Sequence, residues 1–487
     1  MTTANIRGSC VEATDATRSV MGHGSAPPAP APVTGVGHTG TALATCRTGP
    51  ERRRRRRRRG SRPTPRGRLR ASAYRTSAPV SWVTLGSSRS PARASDPHEG
   101  SDHMTQTRSD EPLHQRVTSG EADLDEFRDR LTAWLAERDE VDAAAGVEVS
   151  AVSRPESSGM SNISVLFDAT WAPAEASAPA GPSEPRPARL VARMCPQDDA
   201  FPVFPAYDLQ RQFDVMRVVG EATDLPVPRV RWLEQDPAVL GTAFLVMDRA
   251  TGRAPVDNPP YVFDGWLLEM APEQRAELQR ESVAVLAAIH RIPAPADLLP
   301  TLAPAPGMSA LRVHVDEQRA YYEWTTREDG LRIPLIERAL DWIEEHWPAE
   351  TGPDVLSWGD ARIGNILYEG TTPTAVLDWE MAAIAPAEVD LGWFLYFHDL
   401  FQDLAVTFGF PGIPDVFDHS EVVEQYEKLT GSTVRDLPFY YVYAGLRQAI
   451  ILSRITRRRI HFGEQEAPSH PDEYVLNHPM LARLIAG

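Results

Sequence analysis

The sequence predicts a two-lobed α+β fold, a small antiparallel-sheet lobe followed by a larger, mainly helical lobe. Three observations carry this reading. Runs of alternating apolar residues, the mark of half-buried strands, fall between about residues 160 and 250. From Pro272 onward the apolar residues recur at helical spacing instead. The helical half is interrupted once, by two short strand-like stretches around Asn365–Tyr368 and Ala375–Leu377 joined by a Gly-Thr-Thr-Pro turn.

The elements follow in order. Leu124, Phe127, Leu131, Trp134 and Leu135 give one apolar stripe and predict a helix from about Ala122. In "SNISVLFDATW", Ile163, Val165 and Phe167 alternate as in a strand. Residues 172–187, rich in Ala, Pro and Ser, read as a long mobile loop before "ARLVARMC" resumes the sheet. Leu209, Phe213 and Met216 predict a helix over Leu209–Val219, and "VPRVRWLEQD" and "GTAFLVMDRA" predict two more strands. The stretch Glu273–His290 is the clearest helix, with Leu278, Val285, Leu286 and Ile289 on its buried face. Further helices are expected at Glu388–Leu404, Glu421–Leu429 and Tyr440–Arg457.

Composition divides the 487 residues more sharply than the overall net charge of −17 suggests. Residues 1–103 carry 18 Arg and no Lys against 6 acids, with eight consecutive arginines at Arg52–Arg59. Such a segment has too few apolar residues to bury a core, and disorder is expected. Met104 opens a composition that matches the rest of the chain, so Met104 is expected to be the true start, with 104–250 as an N-lobe and 251–487 as a C-lobe. The body from residue 104 is strongly acidic, which argues against nucleic-acid or anionic-membrane partners. No apolar run approaches the roughly 20 residues needed to span a bilayer, and no secretory signal is visible at the N-terminus. Cys195 is the one cysteine of the body, so a cytoplasmic protein is expected.

The hairpin carries the chemistry. Asp360 and Asn365 precede its first strand and Asp378 follows its second, so chain reversal brings Asn365 and Asp378 to one end. A carboxylate and an amide oxygen suit Mg²⁺, which takes one or two such ligands together with substrate phosphates. Asp360, one loop away, can orient an acceptor hydroxyl or take its proton. Taken singly these are ordinary turn residues; as an ordered set, Asp, Asn five on, then Asp, they follow the order used in phosphoryl transfer.

"WGDARIGNILY", "AVLDWEMA" and "PAEVDLGWFL" resemble the signature of the aminoglycoside phosphotransferase (APH) family, which has a protein-kinase-like fold. The resemblance implies an ATP-dependent kinase for a small-molecule hydroxyl acceptor. It makes Asp360 the catalytic base, Asn365 and Asp378 the Mg²⁺ ligands, and Asp390 a structural brace, with Glu380 in support. In the small lobe, Ser158, Gly159, Ser161 and Asn162 would form the phosphate-facing turn, and Arg193 would grip the phosphates. Met247, Asp248 and Arg249 would meet the adenine with backbone groups. The chain departs from the pattern twice. Trp358 stands where His is usual, so packing is expected to replace a hydrogen bond. Gln212 stands where many relatives have Glu, and is expected to accept a hydrogen bond from Arg193 without an ion pair. These departures support an alternative, a catalytically silent kinase-like module that binds nucleotide or a partner. His290 reads as structural, and Arg447, Arg454 and Arg457–Arg459 as a solvated helix face, with attraction of an anionic acceptor such as a CoA ester as the alternative reading. Trp393, Tyr396, Phe397, Tyr440 and Tyr443 read mostly as core.

Overall fold

A computed structural model describes residues 121–155, 162–174, 186–196 and 201–487. Helix α1 (Glu121–Ala136) comes first. Strands β1 (Val147–Ser153), β2 (Ile163–Trp171), β3 (Arg186–Met194), β4 (Val230–Glu234) and β5 (Phe244–Asp248) form one antiparallel sheet in the order β1-β2-β3-β5-β4. β2 and β3 pair without a slip from Ile163↔Met194 to Trp171↔Arg186. The alternation expected of β2 holds, because Val165 and Phe167 are buried with Phe127 and Leu131 of α1 in one apolar cluster. Helix α2 (Leu209–Ala222) lies between β3 and β4 in sequence. Asp208 caps it, its side chain accepting from the Arg211 N–H at 2.9 Å.

The second half contains α3 (Pro272–His290), α4 (Ala310–Thr325), α5 (Pro334–Glu345), α6 (Glu388–Thr407), α7 (His419–Thr430), α8 (Leu437–His461) and α9 (His478–Ala486). Two small antiparallel ribbons sit among these helices. β6 (Asp354–Ser357) pairs with β9 (Ala383–Pro386), and β7 (Ile366–Glu369) pairs with β8 (Thr372–Val376). α6 is mostly buried and packs along α8. Gly392 permits the close approach: a Cβ there would fall 2.6 Å from the Tyr440 carbonyl oxygen.

The ribbons matter because of what they hold. β6 ends at Ser357 opposite Ala383, so the loop leaving β6 and the segment entering β9 start side by side. The loop then runs through Asp360 into β7, and β8 delivers Asp378. Among the described residues no helix is long and apolar enough to cross a membrane. Residues 1–103 and Met104 lie outside the described residues.

Candidate active site

The loop after β6 is pinned from below by one carboxylate. Asp390, fully buried at the start of α6, accepts from the Trp358 N–H at 2.7 Å, the Gly359 N–H at 3.0 Å and the Ser357 hydroxyl at 2.8 Å. His290 Nε2 lies 3.0 Å from it, and His290 Nδ1 is 2.8 Å from the Tyr426 hydroxyl. Burial alone would raise the Asp390 pKa, but the hydrogen bonds and charge of His290, with those of Ser357 and Gly359, outweigh it and hold the carboxyl below its ordinary value. Gly359 has φ +88°, and a Cβ there would sit 2.0 Å from the Met381 carbonyl oxygen. The turn can therefore be made only with glycine.

Asp360 projects from this loop into a set of donors. Trp393 Nε1 donates to its Oδ1 at 2.8 Å, Arg362 Nε donates at 3.0 Å, and Asn365 Nδ2 donates to its Oδ2 at 2.7 Å. Asn365 Nδ2 also reaches the Asp360 carbonyl at 2.9 Å. With its nitrogen so committed, the Asn365 amide oxygen is the group left for a cation. The Leu377 N–H donates to the Asn365 carbonyl at 2.9 Å, extending the β7–β8 ladder to the residue before Asp378. Asp378 itself adopts a left-handed backbone, φ +62°. The structure thus bonds Asn365 directly to Asp360, and the backbone of Leu377, the residue before Asp378, to Asn365.

Arg193 of β3 reaches across to this segment. Its Nη2 donates to Asp378 Oδ1 at 2.7 Å and to Glu380 Oε2 at 3.2 Å. Glu380 also accepts from Asn162 Nδ2 at 2.6 Å. Burial would lower the Arg193 pKa, but the Asp378 and Glu380 carboxylates reverse this and raise it. The expected hydrogen bond to Gln212 is not made; Gln212 is buried on α2 and does not bond Arg193. A buried guanidinium loses its hydration, and two carboxylates compensate that loss far better than a neutral amide does.

Three further expectations change. Trp358 does not simply swap a hydrogen bond for packing: its indole N–H donates to the Leu377 carbonyl at 2.8 Å, tying the Asp360 loop to the Asp378 segment. The N–H groups of Asp248 and Arg249 are already donated, to the carbonyls of Arg229 and Arg189 at 2.9 and 2.8 Å. Met247 is buried in the sheet, so a base docking there must use carbonyls rather than these two donors. The arginines of α8 are not a solvated face, since Arg447, Arg454 and Arg457 are all buried. Arg454 lies between Phe201 and Trp324, 3.7 and 4.3 Å from their ring centroids, and donates to the Pro202 carbonyl. Ser158, Gly159 and Ser161 lie outside the described residues.

Sequence reasoning missed one contributor and gave a second, Arg447, only as part of a cluster able to attract an anionic acceptor. Arg362 is half-buried between Asp360 and Asp257, which it bonds, and its pKa is raised by both against the opposing cost of desolvation. Arg447 donates Nη2 to the Gly359 carbonyl at 3.0 Å and stacks on Trp393 at 4.2 Å. An arginine two residues after a candidate base was a visible signal for the first. The charge cluster marked the second, but not its contact with the Gly359 carbonyl, 88 residues away along the chain. Among the described residues no group of three or more His, Cys, Asp or Glu could hold a metal; the donor set here is one carboxylate and one amide.

A small antiparallel sheet followed by a larger helical half, with two short ribbons between the helices, is the arrangement of a kinase-like fold. Residues 183–410 match the sequence model of the phosphotransferase enzyme family (APH). A crystal structure described as a "putative aminoglycoside phosphotransferase" from Ralstonia eutropha JMP134 shares the fold, with 23% identity, a TM-score of 0.51, and coverage of 73% of this chain and 96% of that one. Among curated proteins, the chain is 29% identical over 194 residues to "Probable acyl-CoA dehydrogenase IBR3" of Arabidopsis thaliana, covering 39% of this chain and 22% of that protein. It is 27% identical over 265 residues to acyl-CoA dehydrogenase family member 11 of Gallus gallus, covering 51% of this chain and 32% of that protein. The chain therefore spans a third or less of the length of these relatives.

Proposed function

We propose that the chain is an ATP-dependent small-molecule kinase that uses Mg²⁺ and transfers the γ-phosphate to an acceptor hydroxyl. The observation that supports this is that Asn365 bonds the Asp360 carboxylate and, through the Leu377 N–H, the segment leading into Asp378, which Arg193 of β3 bonds in turn. In this reading Asp360 orients the acceptor hydroxyl and takes its proton. Trp393, Arg362 and Asn365 hold its carboxylate in one orientation, which is what a positioning-dominated reaction needs. Asn365 and Asp378 would hold Mg²⁺. The donor chemistry fits: both offer oxygen, the Asp378 side chain is 27% exposed, and two protein ligands are the usual complement when phosphates supply the rest. Bound there, the ion would neutralise phosphate charge. Arg193 stays charged at any working pH and would pair with phosphate oxygens. Asp390 braces the loop. A cytoplasmic location is part of the same proposal and is checked by cell fractionation.

One observation favours a second reading. Arg193 is bonded to Asp378, the carboxylate a metal would need, and α2 offers Gln212 rather than an acid to draw the cation away. A silent nucleotide-binding module would look the same. The decisive experiment is a screen of hydroxyl compounds for acceptor-stimulated ADP release, with Asp360→Ala protein as the blank. Stimulation in the wild type and none in the variant supports the kinase. Nucleotide binding by thermal shift with no turnover in any condition supports the silent module.

A further inference from the structure

A cavity of about 580 Å³ opens beside the cluster, between the start of α2, helix α4, the segment entering β9, and α8. Its wall includes Arg211, Gln212, His314, Glu317, Glu380 and Arg447. Arg447 is the unusual member. It is 1% exposed, its Nη2 is spent on the Gly359 carbonyl, and its Nε and Nη1 have no partner. Its guanidinium stacks on Trp393, the same indole that donates to Asp360. The inner wall is thus one residue and one ring from the proposed base. Across the cavity, Glu380 and Met381 directly follow Asp378 and Trp379. The cavity thus lies next to the segment that carries Asp378 and is separated from Asp360 by Arg447 and Trp393.

The charges on the wall decide what it can take. Glu380 is occupied by Arg193 and Asn162. Asp208 is occupied as the cap of α2. Burial pushes the Glu317 carboxyl up toward its neutral form, with Arg211 opposing. Arg211 gives one nitrogen to the Ala382 carbonyl, while its Nε is buried without a partner. A cationic acceptor would meet three guanidinium groups, those of Arg211, Arg327 and Arg447, while Glu380 and Asp208 already accept from protein donors. A buried guanidinium with unmade hydrogen bonds costs free energy that an oxygen ligand recovers, and its planar fork matches an acyl oxygen or carboxylate.

We infer that this cavity is the acceptor chamber, and that the acceptor is an alcohol bearing an acyl oxygen, as carboxylate or carbonyl, which Arg447 receives with Arg211 beside it. This rests on the kinase reading. Arg447 also lies outside the segment matched by the family, so it can serve a specificity of this chain's own.

The test uses the full chain, MgATP, and three matched probes: short hydroxycarboxylates, their uncharged methyl esters, and amino alcohols of the same length. Binding is read by thermal shift and turnover by ADP release. The proposal expects the hydroxycarboxylate or its ester to bind and be phosphorylated, and the amino alcohol to do neither. Preference between the first two tells carboxylate from carbonyl. Arg447→Met should raise the acceptor KM about tenfold or more, from loss of a charged hydrogen bond, with the effect on acceptor rather than ATP KM. Arg447→Lys, which keeps the charge without the fork, should fall between, and Arg211→Gln provides a second probe should Arg447→Met not fold. Preferential phosphorylation of amino alcohols, or an unchanged acceptor KM in folded Arg447 and Arg211 variants, overturns the proposal while leaving the kinase reading intact. Binding of the acyl probes through Arg447 with no ATP turnover sinks the kinase reading and leaves the cavity assignment standing.

Discussion

Asp360 is held by three donors before any substrate arrives. Its carboxylate is therefore already oriented, and removing it should cost chemistry more than binding. Asp360→Ala is expected to lower kcat by about 10²–10⁴-fold while nucleotide affinity is nearly retained; steady-state kinetics with equilibrium binding checks this. Trp358 makes a different kind of contribution. Its indole N–H joins two segments that the reaction needs side by side. Trp358→Phe keeps most of the ring but leaves the part-buried Leu377 carbonyl short of its donor. It should destabilise the fold by about 1–3 kcal/mol, read as a lower urea midpoint with unchanged slope. The order Asp, Asn, Asp was legible in the sequence because the hairpin fixes it locally. Arg447 was not, because its role depends on contact with a loop remote in sequence, and an arginine on an amphipathic helix reads as solvent-facing until its neighbours are known.

At the scale of elements, the site depends on the β6–β9 ribbon and on α6. The ribbon sets two loops side by side, and α6 presents Asp390 to both backbone N–H groups of the first. Asp390→Ala would strand these donors together with His290 and Ser357 in a dry interior. A loss of about 3–5 kcal/mol is expected, with Asp390→Asn closer to wild type; chemical denaturation measures both. The β7–β8 hairpin was readable because turn residues separate two short apolar runs. The β6–β9 pair was not, since each strand is four residues long and the whole hairpin lies between them. β1 was also missed: of its seven residues only Val149 is buried, so the alternation that marks a strand is absent.

Over the whole molecule, the same burial that makes the core makes it acid-sensitive. Burial, with Arg447 nearby, lowers the His314 pKa to about 3, and burial lowers that of His398 to about 4. Between those values and the ordinary 6.5 the unfolded chain binds more protons than the folded one. Stability is therefore complete above about pH 6.5 and falls as the pH drops, by about 1.4 kcal/mol per unit for each histidine. Urea unfolding from pH 7.5 to 4.5 should show this slope, and His314→Gln should flatten it; a pH-independent midpoint would refute the assignment. The two-lobed α+β plan was legible at this scale because the change from alternating to helical periodicity survives along the chain.

The central claim is that Asp360, Asn365 and Asp378 form one metal–nucleotide site. Calorimetric titration of ATP into the protein, with and without Mg²⁺, tests it most directly when repeated on Asp378→Ala and Asp360→Ala. Metal-dependent binding in the wild type, lost in Asp378→Ala and kept in Asp360→Ala, is the predicted result. Wild-type affinity and metal dependence in Asp378→Ala would contradict it.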